Sequence, residues 1–139
     1  MKIRICYHSE TRNTRRIAEA MAVELGVTAE SVDTAAAAIE TELLFLGGAV
    51  YAVHHGLHPA LKSFIDGLER EKVGRVALFR TGFSDEAIAA MSSRIRAKGI
   101  PIEAESFGCR GRFLFFNLGH PGKGDLEAAR AFARRIASS

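Results

Sequence analysis

Ser9, Thr11, Asn13 and Thr14 crowd hydroxyl and amide groups into the short stretch Ser9-Glu10-Thr11-Arg12-Asn13-Thr14. The residues before it are apolar, with Ile3, Ile5 and Tyr7 on one side of an extended segment and Cys6 on the other, as in a buried strand. The residues after it have helical spacing. Ile17, Met21 and Leu25 recur every four positions beside Ala18 and Ala20, while Arg15, Arg16, Glu19 and Glu24 are left for water. Gly26 then ends the helix. A helix start carries backbone N–H groups without intrahelical partners and the positive end of the helix dipole, so a hydroxyl-rich turn there is fit to hold a phosphate. The same residue types also cap helices and form turns, and the loop alone is compatible with either reading.

Other reactive side chains are less organised. His54, His55 and His58 offer imidazoles, but no acidic or cysteine partner stands at ligand spacing, and Pro59 opens a helix expected to carry His58 away from the other two. No metal site is assigned. Cys109 lies beside Arg110 in a glycine-rich segment and reads as a small residue in a tight loop, with an arginine-activated thiol as the alternative. No Ser-His-Asp order, no paired-carboxylate signature and no Gly-Lys-Ser/Thr phosphate loop occurs, so no catalytic residue is assigned and a nucleotide triphosphatase is excluded.

The elements that must position the loop follow from the remaining pattern. At 139 residues the chain suits a single domain over residues 1–139 that needs neither disulfide nor metal to fold. The longest apolar run, Leu43 to Val53, is too short to span a bilayer, and no apolar leader follows Lys2 and Arg4. A cytoplasmic protein with Cys6 and Cys109 as thiols is expected. The net charge of +3 comes from scattered arginines such as Arg75, Arg94, Arg112 and Arg134, read as solvated faces. Without a block of like charge or interleaved aromatics, nucleic acid is not an expected partner. Oligomeric state is not encoded legibly.

A weak strand is expected over Val27 to Val32, then a short helix or packed connection over Asp33 to Ile39. Leu43 to Tyr51 reads as a strand covered on both faces, with Gly47 and Gly48 admitting a close approach to the backbone. A loop over Ala52 to His58 leads to Pro59 in a helix's first turn, with Leu61, Phe64, Ile65 and Leu68 as its buried stripe. Arg75 to Arg80 reads as the next strand, ending in Thr81-Gly82-Phe83. Ser84 is expected to cap a helix carrying Ile88, Met91 and Ile95 and closed by Gly99. Ile100 to Phe107 reads as a final edge strand, and Asp125 caps a last helix with Leu126, Ala129, Phe132 and Ile136. This alternation implies a parallel sheet with helices on both faces. Ligands of such sheets bind beyond the carboxyl ends of the strands, here the loops after His8, Tyr51, Phe79 and Phe107.

Over nearly its whole length the chain resembles flavodoxins. The resemblance is carried by the loop Ser9 to Thr14, by Leu46 to Tyr51 with Pro59 to Ile65, and by Val76-Ala77-Leu78-Phe79 before Thr81-Gly82. It is also similar to small flavodoxin-like proteins with Ser-Phe-Gly-Cys-x-Gly after the last strand, matched by Ser106 to Gly111. The resemblance implies an α/β three-layer sandwich whose five-stranded parallel sheet has the order 2-1-3-4-5, with FMN at the switch point between strands one and three. Ser9, Thr11, Arg12, Asn13 and Thr14 would hold the phosphate. Val50, Tyr51, Ala52, Val53 and His54 would line one side of the ring, with Tyr51 stacking, and Thr81, Gly82 and Phe83 would approach the other side. His54 or His55 would border the ring, where a cation favours its reduced, anionic form.

Two departures qualify the resemblance. Arg12 stands where the family's loop has glycine. A left-handed backbone there costs a non-glycine residue about 1–2 kcal/mol, whereas a charge-assisted hydrogen bond to phosphate returns about 1.5–3 kcal/mol. The chain is also basic where many electron-carrying flavodoxins are acidic, so an acidic redox partner or an anionic substrate is expected. An FMN-binding electron carrier, or the electron-delivering partner of a reductase, is the leading expectation. A flavin-dependent NAD(P)H oxidoreductase and a flavin-free scaffold of the same fold are the alternatives.

Overall fold

Ile3–Tyr7 (β1) lies second in a five-stranded, all-parallel sheet, and the helices are laid on either face of it. The structure, a computed structural model, describes residues 1–9, 11–51, 56–82, 84–109 and 121–139. In chain order the elements are β1, α1 (Asn13–Leu25), β2 (Ala29–Ser31), β3 (Thr41–Gly48), β4 (Val50–Tyr51), β5 (Gly56–Leu57), α2 (Pro59–Asp66), β6 (Val73–Thr81), α3 (Glu86–Ala97), β7 (Phe107–Cys109) and α4 (Lys123–Ser138). The sheet order is β2-β1-β3-β6-β7, which is 2-1-3-4-5 once the separate antiparallel ribbon β4–β5 is set aside.

Strand alternation sorts the core into two layers. Ile5, Tyr7, Leu43, Phe45, Ala77 and Phe79 face α1 and α4, whose Ile17, Met21, Phe132 and Ile136 complete that layer. Cys6, Leu44, Leu46, Val76 and Leu78 face α2 and α3, meeting Leu61, Ile65, Met91 and Ile95. Both faces of the central strands are thereby covered, which is why their sequences are apolar nearly throughout.

Several expectations change in detail. Residues 33–39 form turns and bends rather than a helix. Of the expected loop over 52–58, Gly56–Leu57 pairs with Val50–Tyr51 as the ribbon. The expected strand over Ile100 to Phe107 is mostly absent: Pro101 has no N–H to offer, only Ile102 bridges to Val76, and ladder pairing resumes at Phe107 to include Cys109. Asp85 rather than Ser84 occupies the cap position of α3, although the Ser84 hydroxyl accepts from the Glu86 N–H at 3.4 Å. Gly122 rather than Asp125 caps α4, and the Asp125 carboxylate accepts from the Gly122 N–H at 2.8 Å.

Of the arginines expected on solvated faces, Arg75, Arg94 and Arg134 are ion-paired, and Arg112 lies outside the described residues. Arg4 pairs with Glu30 between β1 and β2, Arg94 with Asp66 between α3 and α2, Arg134 with Glu24 between α4 and α1, and Arg75 with Glu103. The exposed pairs contribute about 0–1 kcal/mol each.

Gly47 and Gly48 do admit a close approach, but by the protein's own side chains. A Cβ on Gly47 would fall 2.1 Å from the Phe79 ring and one on Gly48 2.5 Å from Leu61. Gly47→Ala is therefore expected to overpack the centre of the sheet and cost about 1–3 kcal/mol. In contrast, Gly124→Ala, with nothing within 4 Å of the added Cβ, is expected to be neutral or slightly stabilising. Denaturant unfolding of both variants checks this, and equal effects would contradict it.

Candidate functional site

β1 delivers His8 and Ser9 to the carboxyl edge of the sheet, where α1 begins. Ser9 is half-buried, and its Oγ is buried without a hydrogen-bond partner among the described residues. Thr11 and Arg12 are exposed. Arg12 has φ 67°, ψ −4°, the left-handed conformation, and supplies no side-chain cap to α1. It is the only non-glycine residue with positive φ among the described residues. The turn thus needs the geometry glycine gives without strain, and Arg12 adopts it despite the cost. Asn13 is the first residue of α1, and Thr14 is buried.

Thr14 does not simply point outward. Its Oγ1 lies 2.8 Å from Thr81 Oγ1, so the first turn of α1 is hydrogen-bonded to the end of β6. Each hydroxyl has one hydrogen, and one suffices for this bond; the other remains available for a third partner. Gly82 follows with φ +109°, a conformation that L side chains rarely adopt. Thr81 and Gly82 are therefore brought to Thr14, whereas Val50 and Tyr51 lie in the ribbon β4–β5. Ala52, Val53, His54 and Phe83, together with Glu10 and His55, lie outside the described residues.

Sequence reasoning missed two features of this edge. His58 caps α2, its Nδ1 accepting from the Ala60 N–H at 3.0 Å, and its ring stacks on His8 with centroids 4.0 Å apart and planes 19° apart. The available signal for His8 was strand alternation, which turns it to the α2 face, opposite Tyr7. The second feature is Arg80, a cation at the end of a buried strand, which donates from Nη1 to the Gly82 carbonyl at 2.7 Å. Among the described residues no group of three or more His, Cys, Asp or Glu gathers as a metal site, and no helix is long and apolar enough to cross a membrane.

No protein-family model matches the sequence, and no curated protein matches it. Solved structures do match. A flavodoxin from the domain Archaea superposes with a TM-score of 0.78 at 21% identity, covering 99% of this chain and 97% of that one. Oxidised flavodoxin 2 from Bacillus cereus gives 0.75 at 22% identity, covering 99% of both chains. The fold is flavodoxin-like. It also occurs within larger proteins: rubredoxin oxygen:oxidoreductase from Desulfovibrio gigas matches with a TM-score of 0.78 at 16% identity, over 99% of this chain and 35% of that one. In this flavodoxin-like frame the turn 9–14 lies where the strand order reverses, since β2 and β3 flank β1 on opposite sides.

Arg12→Gly relieves about 1–2 kcal/mol of backbone strain and gives back about 0.4–1 kcal/mol through a freer unfolded chain. A net rise of about 2–5 °C in Tm is expected, and a fall would contradict the strained assignment.

The thiols carry a second prediction. Cys6 and Cys109 are both buried, and burial pushes each thiol up to about 12. This opposes the reading of Cys109 as an activated thiol; Arg110 itself lies outside the described residues. Because the folded pKa lies above the unfolded value of about 8.5, the stabilisation is complete below that pH and is lost as pH rises toward 12. Iodoacetamide at pH 8 should label neither cysteine in the folded protein. A Cys6→Ala, Cys109→Ala double variant should lose less Tm between pH 7 and pH 10 than the wild type; native labelling or an equal loss would contradict this.

Proposed function

We propose that this protein binds FMN at the carboxyl edge of its sheet and works as an electron carrier or as the electron-delivering partner of a reductase. The observation that carries the proposal is the buried Ser9 Oγ, without a hydrogen-bond partner among the described residues, at the turn where a left-handed Arg12 leads into α1. A buried hydroxyl without a partner costs about 1–3 kcal/mol, and an anion seated at this turn would relieve it. The helix start adds backbone N–H groups and the positive end of its dipole. Arg12, exposed beside them, supplies a cation. The named flavodoxin structures support the same reading through the fold they share with this chain.

FMN, when bound, supplies the redox chemistry, and the chain supplies its placement. Ser9, Thr11, Asn13 and Thr14 would hold the phosphate, with Arg12 adding a charge-assisted hydrogen bond. Thr81 and Gly82 would approach the ring from the end of β6, and Val50 to His54 from the other side. His54 or His55 would border the ring as a cation. Arg12 and Arg16, which lack ion-pair partners among the described residues, leave positive charge near the proposed phosphate site. That charge favours a redox partner with an acidic surface, whose association should weaken as salt rises. The free thiols fit a cytoplasmic location.

The purified protein should show flavin absorbance or take up added FMN. FMN at 100 times its Kd is expected to add about 2.7 kcal/mol of stability, several degrees in Tm. Arg12→Gly should keep the affinity within about tenfold, a change of roughly 1.4 kcal/mol. A colourless protein whose melt ignores FMN would refute the reading and leave a flavin-free scaffold. Steady NAD(P)H oxidation without a separate reductase would replace the carrier with an oxidoreductase.

A further inference from the structure

Arg80 ends a buried run of β6, Val76-Ala77-Leu78-Phe79, and its own side chain is only 16% exposed. A largely buried guanidinium requires good partners. Its Nε donates to Asp85 Oδ1 at 2.9 Å, and its Nη1 donates to the Gly82 carbonyl at 2.7 Å and, more weakly, to the Cys109 carbonyl at 3.4 Å. The group lies against Gly108, where an added Cβ would fall 2.4 Å from Nε. The Gly82 N–H itself donates to the Cys109 carbonyl at 3.0 Å. One side chain therefore joins the end of β6, the turn after it, the cap position of α3 and the end of β7. On the opposite face of the same strand end, Thr81 is joined to Thr14.

We propose that Arg80 is a positioning residue for the cofactor ring: it fixes the Thr81–Gly82 turn, and its charge balances Asp85 beside that turn. This rests on the FMN reading given above. The fork geometry matters because a lysine keeps the charge but cannot reproduce the planar Nε and Nη1 donors that serve Asp85 and Gly82 together. Position and charge are therefore separable by mutation.

The test measures FMN affinity and midpoint potential at pH 7 for the wild type and four variants, each first checked for folding by its apo melt. Arg80→Met, Arg80→Lys and Gly108→Ala should each weaken FMN binding by about tenfold or more, since all three disturb the fork. Arg80→Met should also lower the potential, because Asp85 is left uncompensated. Arg80→Lys should leave the potential close to wild type, and Asp85→Asn should raise it. A role confined to holding the loop together would not give opposite shifts for Arg80→Met and Asp85→Asn. Should Arg80→Met fail to fold, Gly108→Ala and Asp85→Asn still decide the matter. Unchanged affinity and potential in the folded variants, or shifts of the same sign, would overturn the role of Arg80 while FMN binding by the wild type stands. A wild type that takes up no FMN overturns both readings together.

Discussion

Gly47 leaves its side-chain space to the Phe79 ring, and the sheet's useful edge depends on that contact. The register it accompanies sets Tyr7, Gly47, Phe79 and Phe107 in one row across four strands. The next row out brings Gly48, Arg80 and Gly108 together, and the one beyond it pairs Thr81 with Cys109. A slip by one residue would turn the core side chains to the wrong faces and separate Arg80 from Gly108. The packing at the centre thus decides which side chains reach the carboxyl edge.

At that edge, alternation distributes the connections. His8 turns toward α2 and stacks on His58, Thr81 turns toward α1 and bonds Thr14, and Arg80 turns toward β7 and the start of α3. The starts of α1, α2 and α3 are therefore fastened by side chains from the strand ends beneath them. The turn at Arg12 is strained and leaves Ser9 Oγ without a hydrogen-bond partner among the described residues. Backbone strain and an unmet hydrogen bond coincide in this one short turn, which marks where a ligand would contribute most.

Much of this was legible because it is local. The strand, hydroxyl loop and helix from Lys2 to Leu25 each declare themselves by period and capping, and the glycine position taken by Arg12 announced the left-handed turn. What escaped was non-local or too short to have a period. The ribbon β4–β5 has two residues per strand, and β7 has three, displaced because Pro101 cannot donate to the ladder. The stacking of His8 on His58 joins residues far apart in sequence, so spacing alone directed attention to His54 and His55 instead. Arg80 is the last residue of the strand expected over Arg75 to Arg80, and only the neighbouring Gly108 reveals why the cation fits there. Arg75, Arg94 and Arg134, expected on solvated faces, are ion-paired to residues distant in sequence, which needs the fold to see.

The central claim is that the turn from Ser9 to Thr14 grips a phosphate, so the decisive measurement compares FMN with riboflavin, which share a ring and differ in that group. Isothermal titration of the apoprotein with each should show FMN binding at least about a hundredfold tighter, roughly 2.7 kcal/mol of discrimination. Equal affinity for the two, or binding of neither, would contradict the account.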